Sequence, residues 1–252
     1  MYIGKKRIII FLALACGITW AVQIIQSILG ITEIPFAYIF ITLSVFGPAI
    51  AALIVLYKKV SLRDYIKHCF IFEQKFSYYA IFAAFFIWRF FIMMTVGNRV
   101  EGSTLYLPLL LMPICLFTGG NEEFAWRGFL QPQMEKKMHA VPVAFIFTAY
   151  WAIWHLPLFF LPIDPRSPFE IFFMLGFFMT NAFTIAAIYK ITNSVLLCVF
   201  FHAWGNALSN TFMPAPTLQT ILGFSFEWLV AMILLILCEK GIIKSANSRL
   251  KE

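Results

Sequence analysis

Charge is scarce in this sequence. Of its 252 residues only 12% are charged and 62% are hydrophobic, whereas a soluble domain is about a quarter charged and about half apolar, so a water-soluble globular protein is excluded. Thirty phenylalanines and a mean hydropathy of +0.85 give more apolar surface than a soluble chain of this length can enclose, and the excess must face lipid. Cysteine is sparse too. The five cysteines are an odd number and four lie within or at the ends of apolar runs, which argues against a disulfide framework. There is no low-complexity tract and no evident internal repeat, so the inverted halves typical of many secondary transporters are not apparent. The net charge of +7 and pI near 9.2 do not mark a nucleic-acid protein, because the basic residues fall in short clusters between apolar runs instead of on one solvated face.

What is abundant is the membrane-length run. Crossing a hydrocarbon layer of ~30 Å at 1.5 Å per residue takes about 20 residues. Eight runs meet this, at roughly Ile8–Leu29, Pro35–Tyr57, Tyr78–Val96, Leu110–Glu135, Val141–Leu161, Phe169–Tyr189, Ser194–Phe212 and Leu218–Cys238. The expected fold class is all-α: one polytopic transmembrane domain over residues 1–252, about eight helices around a polar intramembrane cavity, with its motifs in about 105–212. The fourth run is the least regular, interrupted by Glu122, Glu123 and Arg127 and bounded by Pro108, Pro113, Gly119, Gly120 and Pro132. Of 19 Lys and Arg residues, 15 fall on one side of this arrangement and only Arg99 and Arg166 on the other, with Arg89 and Arg127 inside runs. By the positive-inside rule both termini are expected in the cytoplasm. The first run continues to Leu29 without a small-residue cleavage site, so it reads as an uncleaved span instead of a signal peptide. Short loops and small size point to a bacterial inner membrane.

Ionisable groups at mid-bilayer cost several kcal/mol on most scales, so each one inside a run is a functional candidate or half of an ion pair. These are Arg89, Glu122, Glu123, Arg127, His155, His202 and Glu227, with Asn206 as a neutral companion. Glu123 and Arg127 are four apart with the acid first, the favoured intrahelical pair. Glu122 is turned about 100° away and remains free for chemistry. His202 and Asn206 share a helix face. His155 precedes Leu156 and Pro157, where a kink is expected. Counting back from the link near Lys136–Ala140, Glu122 and His155 both sit about 20 Å from the ends of their helices, and His202 and Asn206 about 12 to 18 Å in from the same side, so the four can meet at one level. The plainer alternative for each is a helix-bridging hydrogen bond. Arg89 and Glu227 read as an ion pair or a snorkelling arginine, and His68 and His139 as solvated loop residues.

Three local words carry more information: Glu122-Glu123-Phe124-Ala125-Trp126-Arg127, Trp151-Ala152-Ile153-Trp154-His155 and His202-Ala203-Trp204-Gly205-Asn206. Together they resemble the CPBP intramembrane protease family, which groups CAAX prenyl endopeptidases with bacteriocin-processing and immunity proteins and carries Glu-Glu-x-x-x-Arg, aromatic-x-x-x-His and His-x-x-x-Asn in this order. Trp151 stands where phenylalanine is frequent. The resemblance covers about Gly119–Asn210. It implies a multi-span helical fold and cleavage of a peptide bond in the membrane. It assigns Glu122 and His155 to activating water, His202 and Asn206 to polarising the scissile carbonyl, and Glu123 and Arg127 to positioning. A zinc ion held by Glu122, His155 and His202 and a metal-free glutamate mechanism are equally open, since the three ligands lack the compact spacing of H-E-x-x-H. Serine and aspartyl intramembrane protease signatures are absent. The expected substrate is a prenylated C-terminus, a leader peptide or another membrane-associated chain. The competing reading is a non-catalytic immunity or scaffold protein, or a proton-coupled carrier using the same buried Glu and His residues.

Overall fold

The computed structural model describes residues 3–33, 35–71, 75–160 and 167–244. Arg166, Arg249 and Lys251, which entered the loop-charge bias, and Leu161, the expected end of the fifth run, lie outside the described residues. Among the described residues five helices are long and apolar enough to cross a membrane: α1 (Lys5–Ile28), the pair α2 (Phe36–Val45) and α3 (Gly47–Leu56) taken together, α5 (Phe76–Val96), α11 (Pro168–Thr192) and α13 (Leu218–Glu239). Three shorter apolar helices, α6 (Leu107–Phe117), α9 (Ala140–Trp154) and α12 (Val195–Ser209), occupy the fourth, fifth and seventh runs. Among the described residues the regular structure is helical apart from one two-stranded antiparallel ribbon, Gly97–Arg99 against Phe212–Pro214. The ribbon leaves the expected all-α class in place. The strands are three residues each, too short to show as an alternating pattern, and they pair backbone groups beyond the ends of α5 and α12.

Basic residues gather at one end of the bundle. There Ile3 N donates to Gln133 Oε1 at 3.0 Å, Arg7 donates to the Val55 carbonyl, Lys190 meets Glu135 at 2.5 Å and the Tyr78 hydroxyl donates to Lys244 O at 3.2 Å. Ile3 and Lys244, the two ends of the described chain, therefore lie on the same side. The Lys58–Ser77 stretch is not merely a loop: it contains the amphipathic helix α4 (Leu62–Cys69), capped by Ser61, whose Oγ accepts from Asp64 N at 3.0 Å. Tyr65 of α4 reaches the Phe124 carbonyl at 2.5 Å. His68 is half-buried on α4, not solvated, and burial holds its imidazole below the ordinary histidine range. His139, by contrast, is exposed, 3.4 Å from Glu239. All five cysteines are free.

Two proline breaks tie α1 into the bundle. Pro48 has no N–H to offer the carbonyl of Ser44 four residues earlier, and the helix divides at Phe46. Thr19 Oγ1 of α1 supplies the missing donor to Ser44 O at 2.8 Å, and a Cβ on Gly47 would collide with that hydroxyl. Pro157 likewise interrupts α9 at His155, and a short helix α10 (Leu156–Phe160) follows. The indole of Trp20 donates to the Trp154 carbonyl at 3.0 Å, and Trp154 Nε1 donates to Thr19 Oγ1 at 3.0 Å. The first apolar run is thus an integral wall of the fold.

Candidate functional site

The fourth run is not one helix. After α6 the chain turns at Thr118 and Gly119, forms a 3-10 turn (Gly120–Glu122), a single α-turn α7 (Glu123–Ala125), a π-helical stretch (Trp126–Leu130) and the short helix α8 (Gln131–Met134). Adjacent glycines allow this. A Cβ on Gly119 would overlap Asn206 Nδ2, and one on Gly120 would lie 2.8 Å from the Val199 carbonyl, so both let the turn lie directly on α12. Pro132 cannot donate to the carbonyl of Gly128, consistent with the widened π register before it. Gly119→Ala is expected to cost about 1–3 kcal/mol through overpacking. Gly17→Ala, in an open stretch of α1, should be neutral or slightly stabilising; thermal denaturation in detergent compares them.

The irregular turn directs two adjacent acids to different partners. Glu123 Oε2 pairs with Arg127 Nη1 at 2.7 Å, as the spacing predicts, and its Oε1 accepts from His202 Nδ1 at 2.7 Å. Arg127 also donates to the Ala182 carbonyl at 3.1 Å and stacks 4.3 Å over Phe147. It therefore binds the motif turn to α9 and α11. Glu122 takes no part in this pair. Its Oε2 accepts two indole N–H groups, Trp126 Nε1 at 3.0 Å and Trp151 Nε1 at 3.2 Å. The second of these is a donor that a phenylalanine at the aromatic motif position would lack.

Both histidines have one ring nitrogen engaged. His155 Nδ1 lies 2.8 Å from the Trp151 carbonyl; because a carbonyl only accepts, the proton sits on Nδ1 and Nε2 is the remaining nitrogen. His202 Nδ1 is held by a carboxylate on the same logic. The Trp151 ring contacts both imidazoles edge-on, with centroids 5.4 Å apart in each case. Glu122, His155, His202 and Asn206 all line one chamber of about 350 Å³. Two larger cavities, of about 490 and 610 Å³, contain none of the four.

The donors named for zinc do share this chamber, but among the described residues no three His, Cys, Asp or Glu side chains are gathered as a ligand set. The Trp151 indole packs against both imidazoles and also donates to Glu122.

Other members of the wall were not singled out from the sequence. Gln23 and Gln26 of α1, Ser44 of α2 and Asn181 of α11 line the chamber with Trp154 and Phe178. The two glutamines, three apart in a mostly apolar run, are a readable signal once neutral polar residues are weighed beside ionisable ones. Arg89 and Glu227 do form an ion pair, buried and bidentate at 2.5 and 2.9 Å. Thr184 Oγ1 donates to Glu227 at 2.8 Å, and Arg89 Nη1 donates to Asn181 Oδ1 at 2.8 Å, which connects the pair to the chamber wall.

With this geometry in place, comparison with known families is informative. Residues 103–208 match the family described as type II CAAX prenyl endopeptidase Rce1-like. The match agrees with the CPBP resemblance carried by the three motifs and implies protease activity in a multi-pass membrane protein. No curated protein matches the chain. Gln23, Gln26 and Ser44 fall outside the matched residues.

Proposed function

We propose that the chain is an intramembrane endopeptidase of glutamate type that hydrolyses a peptide bond of a membrane-associated substrate, with the basic end of the bundle in the cytoplasm and eight passes across the bilayer. The carrying observation is the division of labour between adjacent acids: Glu123 is occupied by Arg127 and His202, while Glu122 faces the chamber on two neutral donors. A water molecule lodged between Glu122 and His155 donates one hydrogen to each, and its lone pair points at the scissile carbonyl. On attack Glu122 takes the water proton and hands it to the leaving nitrogen as the C–N bond breaks. With Glu123 on its Nδ1, His202 can carry a proton on Nε2; that N–H and the Asn206 amide donate to the oxyanion, in a site whose low polarity strengthens both bonds. Balanced charges on Glu122, Glu123, Arg127 and His202 make this pocket tolerable within lipid.

The family match favours a prenylated C-terminal peptide as substrate, with a leader peptide as the second choice. The test uses purified protein in lipid nanodiscs. An S-farnesylated peptide carrying a C-terminal CAAX sequence should be cut beside its lipidated cysteine, at the same rate with and without a zinc chelator such as 1,10-phenanthroline. Loss of cleavage on chelation, restored by zinc, would overturn the metal-free mechanism. Cleavage of the leader peptide alone would overturn the substrate choice.

A further inference from the structure

Of the fully buried side-chain oxygens among the described residues, Gln23 Oε1 is the one without a hydrogen-bond partner. A buried amide oxygen left unpaired is costly and calls for an explanation. Gln23 is 3% exposed and lines the same chamber as Glu122, His155, His202 and Asn206. Its position is fixed, not accidental. Thr19, one helical turn earlier on α1, is held between Ser44 O and Trp154 Nε1, and Trp20 caps the Trp154 carbonyl. Trp154 in turn packs edge-on against His155, with ring centroids 4.6 Å apart. The neighbouring polar groups of this wall are already engaged: Gln26 Nε2 donates to Ile31 O at 3.0 Å, and Ser44 Oγ donates to Ile41 O at 2.8 Å.

We propose that Gln23 is a substrate-binding residue whose side-chain oxygen accepts a hydrogen bond from a main-chain N–H of the peptide held in the chamber. This rests on the endopeptidase reading for its ligand. It adds that α1, outside the family-matched residues, grips the substrate backbone. A neutral acceptor suits that task. It recognises an extended peptide whatever its side chains, and the bond it gains on binding removes the penalty it carries when empty.

The experiment measures both binding and cleavage of a dansyl-labelled, S-farnesylated CAAX peptide and of its N-methylated analogues, one backbone amide methylated at a time. Gln23→Met keeps the side-chain length and removes the acceptor. In nanodiscs it should raise KM for the parent peptide about three- to tenfold, the worth of one neutral hydrogen bond, with kcat within twofold. At one position N-methylation should weaken the wild type by a similar factor and leave Gln23→Met unaffected, the non-additivity expected of a direct pair. A merely structural glutamine would instead lower the melting temperature when replaced; here Gln23→Met should melt at or above the wild type. Binding is read in parallel by dansyl fluorescence on Glu122→Gln, with and without Gln23→Met. If the peptide binds with that Gln23 dependence but is never cut, the Gln23 assignment stands and the endopeptidase reading falls. If the peptide is cut or bound equally well by the Gln23→Met protein, or bound by neither, the assignment is overturned.

Discussion

Glu122→Gln is expected to lower kcat on a farnesylated CAAX peptide about a thousandfold, within the range ascribed to a positioned general base, with KM changed by less than threefold. Glutamine is the informative replacement because the structure says it will fold. Its carbonyl oxygen can accept the same two indole N–H groups, from Trp126 and Trp151, that Glu122 Oε2 accepts at 3.0 and 3.2 Å. Glu122→Ala removes the base but also leaves two buried indole donors unpaired, at about 1–3 kcal/mol each, so it should be inactive and less stable. The two substitutions therefore separate chemistry from architecture. A glutamine variant retaining a tenth or more of wild-type kcat would remove Glu122 from the base role.

The largest effect on stability is expected at Arg89. Arg89→Met leaves the Glu227 carboxylate, fully enclosed by α5, α11 and α13, with Thr184 as its remaining named donor, and breaking a buried pair in this way costs about 3–5 kcal/mol. Replacing both partners, Arg89→Met with Glu227→Leu, should recover most of that loss because no charge is stranded. The rings of Phe177, Phe201 and Phe224, at 5.0 to 5.5 Å from the guanidinium, supply the apolar surroundings the new side chains need. Thermal denaturation in detergent of the two single variants and the double variant closes the cycle. Equal melting temperatures for Arg89→Met and the double variant would contradict the stranded-charge account. Because Arg89 also holds Asn181 Oδ1 at 2.8 Å, the single variant should additionally loosen one wall of the chamber.

Hydropathy alone made the helical membrane character legible, with five helices long and apolar enough to cross among the described residues, because lipid imposes its demand on every turn of an exposed helix. The spacing of Glu123 and Arg127 made their pair legible, and the proline after His155 located the break in α9. What stayed hidden depends on neighbours that a linear pattern does not name. The fourth run reads as one irregular helix, yet contact of Gly119 and Gly120 with α12 turns it into a chain of short helical forms. The bond from His202 to Glu123 joins residues 79 apart. That Thr19 replaces the donor Pro48 lacks follows only once α1 and α2 are seen side by side. The role of α1 was obscured for the same reason: Gln23 and Gln26 look like minor polar interruptions until the chamber they face is visible.

The central claim, that a water activated at Glu122 hydrolyses a peptide bond inside this chamber, is tested most directly by mass spectrometry of a single turnover in water enriched in oxygen-18. Wild-type protein in nanodiscs, in excess over the farnesylated peptide, should give two fragments, with one heavy oxygen in the new carboxylate, and Glu122→Gln should give neither fragment over the same interval. Folded wild-type protein that leaves both the prenylated and the leader peptide intact would contradict the claim, as would equal product from the glutamine variant.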